Sequence, residues 1–157
     1  MTMIKADYER LAAWRYALRR FLRFSELAAA EAGLTPQQHQ ALLAVKGFPG
    51  RDRITIGDLA ERLQIRHHSA VGLADRLVAQ NLLRREQGVE DRREVYVSLT
   101  QGGEALLGRI SVAHKTELAR IGPDMTRTLE EIAAAGRQEV KKDRKRAGAA
   151  QARATAR

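Results

Sequence analysis

Between Thr55 and Leu77 the chain reads TIGDLAERLQIRHHSAVGLADRL, and its apolar residues leave few ways to fold. Thr55 and Asp58 stand three apart, the spacing of a cap at a helix start. Leu59, Ala60, Leu63, Ile65, Ala70 and Leu73 fall where two consecutive helices bury side chains between them, with the small Ala60 at the crossing. Ala70, Leu73, Ala74 and Leu77 keep a three-and-four spacing, which gives the second helix one apolar face. The stretch therefore predicts helices over about 56–63 and 66–80, arranged as a helix-turn-helix.

The other face of the second helix carries Arg66, His67, His68, Ser69, Val71, Gly72, Asp75 and Arg76. A cation and two imidazoles at the outward N-terminal part of a helix suit entry into the major groove of double-stranded DNA. Arg66 can pair with guanine or phosphate, and the histidines offer donors and acceptors to base edges. Val71 can meet a thymine methyl group, and Gly72 permits close approach. A metal site at His67 and His68 is disfavoured, because adjacent helical residues diverge by about 100° and no partner ligand stands nearby. His39 and His114 lie in separate segments and are expected to be surface or partly buried residues rather than ligands.

Around this pair the pattern is mostly helical. Residues 7–31 read as a long helix with a seam of Leu11, Trp14, Leu18 and Phe21, ended by Gly33. Five of the seven aromatic residues lie in the first 24 positions, more apolar surface than a peripheral helix needs, and a subunit interface would absorb the excess. TPQQ opens the next helix with Thr35 as cap and Pro36 in the first turn, running to about Val45. KGFPGRDR follows as a loop. Val95, Val97 and Leu99 then alternate with polar residues as a strand, and LLRRE, residues 82–86, supplies its hairpin partner. Thr100 caps a helix over about 101–121, GPD at 122–124 breaks it, and Pro123 starts a last helix carrying Leu129 and Ile132.

The formal net charge is +9, and it is unevenly spread. Residues 137–157 hold eight Lys/Arg against two Asp/Glu, or +6, while residues 1–136 hold 20 against 17, or +3. The end of the chain is rich in Ala and Arg with almost no large apolar residues, so it is expected to fray. The hairpin, by contrast, has four basic and four acidic residues over 84–94, so position rather than bulk charge must carry any function there. Asp91 can hold a neighbouring arginine while Arg92 or Arg93 points outward, and arginine is favoured in narrow minor grooves. The absence of cysteine excludes disulfides and thiol chemistry within the chain. No apolar run approaches a membrane span and the N-terminus lacks a signal-peptide core, so a cytoplasmic location is expected. The chain has no GxGxxG, GxxxxGK[ST], HExxH or GxSxG, which argues against an enzyme; no catalytic residue, metal or cofactor is expected.

GLTPQQHQALLAV, ITIGDLAERLQI and LVAQNLLRREQGVEDRREVYVSLTQGGEALL together resemble the MarR family of multiple antibiotic resistance regulators. DRREVYVSLTQGG is the strongest marker: the wing Asp-Arg-Arg, an alternating strand, then Leu-Thr and a glycine at the start of a long helix. The likeness covers about residues 7–140. It implies a mainly α winged helix-turn-helix domain over 1–140, with a DNA-binding core at about 35–100, dimerisation helices at about 7–31 and 101–140, and a basic, flexible tail at 141–157. It further implies a homodimer built through the first and last helices, whose seams hold Leu11, Trp14, Leu18, Phe21, Leu129 and Ile132. Such a dimer acts as a transcription regulator, binds a palindromic operator and, in many members, leaves DNA when a small anionic or phenolic effector binds. It makes Arg93 the first choice for the wing arginine. Gln64 stands at the helix–helix turn where such motifs often have glycine, and a left-handed conformation there would cost about 1 kcal/mol. The competing expectation is a non-specific, architectural nucleic-acid binder driven by the basic tail.

Overall fold

The computed structural model describes residues 3–88 and 94–155, with side chains up to Arg137. Its elements are α1 (Lys5–Glu31), α2 (Pro36–Lys46), β1 (Arg53–Thr55), α3 (Ile56–Leu63), α4 (His67–Ala79), β2 (Leu83–Gln87), β3 (Val95–Leu99) and α5 (Gln101–Thr155). They form two compact units, one of residues 24–115 and one of residues 1–23 with 116–157.

In the 24–115 unit the helices are bounded by the chemistry expected of them. Thr35 caps α2 through a reciprocal pair: its hydroxyl accepts from the Gln38 amide at 3.2 Å, and Gln38 Oε1 accepts from the Thr35 amide at 2.9 Å. Three helices then end in the same way. A residue with positive φ follows the last turn, and two backbone bonds close back across it. At the end of α1 this residue is Gly33, with Leu34 N–H donating to Ala29 and Gly33 N–H to Ala30. Gln64 does the same after α3, at φ 53°, with bonds from Ile65 to Ala60 and from Gln64 to Glu61. Asn81 does it after α4, at φ 56°, with bonds from Leu82 to Leu77 and from Asn81 to Val78. The left-handed cost expected at Gln64 is therefore present, and its side chain adds a 2.7 Å bond to the Glu61 carbonyl.

The sheet has the order β1-β3-β2, all antiparallel, with Ile54 opposite Val97 and Leu83 opposite Leu99. No strand is expected at β1: Arg53 ends the expected loop and Thr55 is the expected cap of the next helix. Three residues show no period of their own, and only pairing with β3 makes Arg53–Thr55 a strand. Leu42, Leu59, Leu73 and Leu77 from the helices and Ile54, Leu83 and Val97 from the sheet are fully buried together. Each such side chain contributes about 2 kcal/mol from burial. α5 begins where the sheet ends: the Thr100 hydroxyl donates to the Asn81 carbonyl at 2.7 Å and accepts from the Gly103 amide at 3.0 Å. At Gly103 the Leu82 backbone lies so close that a Cβ would collide with its carbonyl.

In the other unit, α1 contributes residues up to 23 and α5 those from 116. Among its described residues none is fully buried. Leu11 is 42% exposed and Leu129 51%, while Trp14, Leu18, Phe21 and Ile132 are half-buried. Leu11 and Ile132 line one groove of about 200 Å³ with Met3, Asp7, Arg10, Ala135 and Gly136. The helix break expected at Pro123 does not occur, and α5 runs through it. One ladder bond is lost there, but Gly122 has no Cβ to clash with the proline ring, the clash that usually drives a preceding residue out of the helical region. The tail, expected to fray, continues as backbone helix to Thr155.

Two substitutions probe these joints. Gly103→Ala should lower stability by about 2–4 kcal/mol, because the clash is with backbone that cannot step aside. Gln64→Gly should raise it by up to about 1 kcal/mol by relieving the left-handed strain. Urea denaturation of the two variants beside the parent checks both signs.

Candidate nucleic-acid interface

The predicted recognition residues lie on α4 or cap it. Thr55 starts α3 with a capping box, its hydroxyl accepting from the Asp58 amide at 3.0 Å and Asp58 Oδ2 accepting from the Thr55 amide at 3.3 Å. The turn at Gln64 then swings the chain so that α4 starts at the surface. Arg66 occupies the N-cap of α4 without making a side-chain cap bond. The first-turn amides thus lack a capping side chain, at the end of the helix where the dipole favours anions. Arg66, His67, His68, Ser69, Asp75 and Arg76 are exposed, and Val71 and Gly72 are half-buried. A Cβ at Gly72 would meet only the Arg76 guanidinium, at 3.6 Å, so the α4 surface is merely shallow there. Behind this face Ala70, Leu73, Ala74 and Leu77 are buried, as their spacing requires.

The acids near this face have side-chain partners. Asp75 on α4 pairs with Arg85 on β2 at 2.8 Å, tying α4 to the hairpin. Glu86 receives Arg84 at 3.2 Å and Arg53 at 3.4 Å. Glu94 accepts from the Tyr96 hydroxyl at 2.7 Å, a bond that raises the Tyr96 pKa by holding its proton, and Arg53 stacks on the same ring at 4.6 Å. Gly88 N–H closes the hairpin on the Glu94 carbonyl at 2.9 Å. Asp91, Arg92 and Arg93 lie outside the described residues. A cleft of about 360 Å³ between the start of α3, α4 and the hairpin brings His67 and Val71 together with Arg85, Glu94 and Val95.

Sequence reasoning missed Arg85, whose importance depends on a cross-element partner, and a second group beside α3. There Arg51 and Arg62 flank the Phe48 ring, each guanidinium 4.8 Å from its centre, and Arg51 also pairs with Asp58 at 2.9 Å. The aromatic at position 48 between basic residues was the available signal.

Comparison with known proteins points one way. Residues 32–94, which span α2 to the hairpin turn, match the MarR family model. The HTH-type transcriptional repressor MdtR of Bacillus subtilis is 30% identical over 88 residues, 56% of this chain and 55% of that relative, so the match spans about half of the relative's length. Among solved structures, AbsC, a MarR family transcriptional regulator from Streptomyces coelicolor, superposes with a TM-score of 0.70 at 21% identity, covering 92% of this chain and 98% of that one. A mutant of MepR from S. aureus, bound to an oligodeoxyribonucleotide, gives 0.59 at 17% identity, covering 85% and 99%. The structural likenesses show the fold, and within it residues 32–94 are similar to the MarR family.

Proposed function

We propose that this protein is a sequence-specific, DNA-binding transcriptional regulator that binds a palindromic operator as a homodimer. The observation that carries the reading is α4: one face is core, while the other presents Arg66, His67, His68, Ser69 and Arg76 to solvent at the N-terminal end of a helix. Pairing of Asp75 with Arg85 and of Glu86 with Arg84 and Arg53 offsets acidity that would repel phosphate on that side. A relative named as a repressor and a neighbour described as bound to an oligodeoxyribonucleotide favour repression through DNA. Release by a small anionic or phenolic effector and a cytoplasmic location complete the proposal, on family likeness. In the wing, Arg93 and then Arg92 are the proposed minor-groove contacts, supported by Asp91. A homodimer is favoured because the unit formed by the ends of the chain has, among its described residues, no fully buried side chain of its own.

Arg66→Ala should weaken binding to the cognate half-site by about 1–3 kcal/mol and leave scrambled DNA less affected. Fluorescence anisotropy on both duplexes over a salt series reads this. Equal losses on the two sequences would assign Arg66 to phosphate, and equal affinities of the parent for both would favour non-specific binding through the basic tail. The dimer is checked separately by sedimentation equilibrium at micromolar concentration, where a stable folded monomer would refute it.

A further inference from the structure

His39 and His114, far apart in sequence, meet inside the 24–115 unit. Their ring centres are 4.7 Å apart and tilted by 37°. His39, on α2, is only 3% exposed, and its buried Nδ1 has no hydrogen-bond partner among the described residues. His114, on α5, bridges two elements: Nδ1 lies 2.9 Å from the Ile110 carbonyl and Nε2 lies 2.8 Å from Ser25 Oγ on α1. A carbonyl only accepts, so Nδ1 of His114 bears the proton and, in the neutral ring, Nε2 accepts from the serine hydroxyl. The Phe24 ring stands edge-on to His114 at 5.4 Å. The pair therefore joins α2 to segments of α1 and α5. Beside His39, Gln38 donates from Nε2 to Gln80 Oε1 at 2.9 Å, at the end of α4.

A proton on His39 would bury a positive charge beside a second imidazole, with no acceptor at Nδ1. Burial is the larger cause that lowers its pKa, and the charge on His114 adds to it. From α1, Phe24 and Ser25 contact His114, while the charged residues next to the contacts in sequence, Glu26 on α1 and Lys115 on α5, are exposed. The sign follows. A base whose folded-state pKa is depressed leaves stability whole above the unfolded value of about 6.5 and removes it as pH falls through that value.

We propose that the His39–His114 stack is an acid-sensitive latch: neutral, it holds α2 against the α1 and α5 segments, and protonated, it loosens α2 and, through Gln38 and Gln80, the end of α4. Only the effect on α4 rests on the DNA-binding reading; the latch itself is read from stability without DNA.

The test compares the full-length parent with His39→Phe, which keeps a ring against His114 and removes the titration. Between pH 7.5 and 5 the folding equilibrium constant of the parent should fall about tenfold more than that of the variant. Equal falls would overturn the latch. Should the variant not fold, NMR titration of the parent's imidazole signals decides. His39 is expected to take up its proton only below pH 6.5, with α2 loosening as it does, and its protonation near pH 6.5 in an intact fold would refute the proposal. DNA affinity over the same range should fall more in the parent than in the variant, a difference that cancels any contribution of His67 and His68. A latch present in the melts with no such difference in affinity would refute the coupling to α4. No DNA binding at any pH would refute the DNA-binding reading and leave the melts to judge the latch.

Discussion

The backbone of Leu82 is where the 24–115 unit is joined. Its amide closes the end of α4 on the Leu77 carbonyl, and its own carbonyl accepts from Thr100, where β3 passes into α5. Gly103 lets the first turn of α5 lie against it. Three elements are thereby located by backbone, which varies little in shape, rather than by long side chains. Asn81 just before it takes the left-handed conformation that turns the chain from helix into strand. The same residue therefore sets where α4 ends and where the hairpin begins.

The electrostatics of the exposed face follow from that placement. The hairpin as a segment carries no net charge, yet its acids are not presented alike. Glu86 lies between Arg84 and Arg53, and Asp75 is taken up by Arg85. These pairs are partly exposed, so each contributes little to stability. Their consequence is directional. They turn negative charge toward neighbouring side chains and leave Arg66 and Arg76 without a carboxylate beside them on the exposed face of α4, among the described residues. A positive surface can thus arise on a segment whose composition is neutral.

The two units differ in what holds them. The 24–115 unit has a closed core of leucine, valine and isoleucine. The unit built from the chain ends has half-covered apolar side chains and several exposed ones, and local pairs such as Arg120 with Glu117 add polar contacts along α5. A helix surface of that character gains most from burial against another surface.

Much of this was legible in the chain itself. The cap signals at Thr35 and Thr55, the three-and-four spacing from Ala70 to Leu77 and the alternation from Val95 to Leu99 are local patterns, and local backbone geometry enforces them. They were enough to place the helix-turn-helix, the hairpin strands and the outward residues of α4. What escaped was decided by partners distant in sequence. β1 exists because β3 pairs with it, and α5 passes Pro123 where the sequence alone suggested a stop. Arg85 matters because Asp75 faces it, and His39 and His114 meet although 75 positions separate them. Which faces are apolar and where helices begin depend on periodicity and capping within a few residues, so the chain carries them locally. Which charges are cancelled and which rings are buried together depend on distance and solvent exclusion that no single segment contains, so they arise only in the folded molecule.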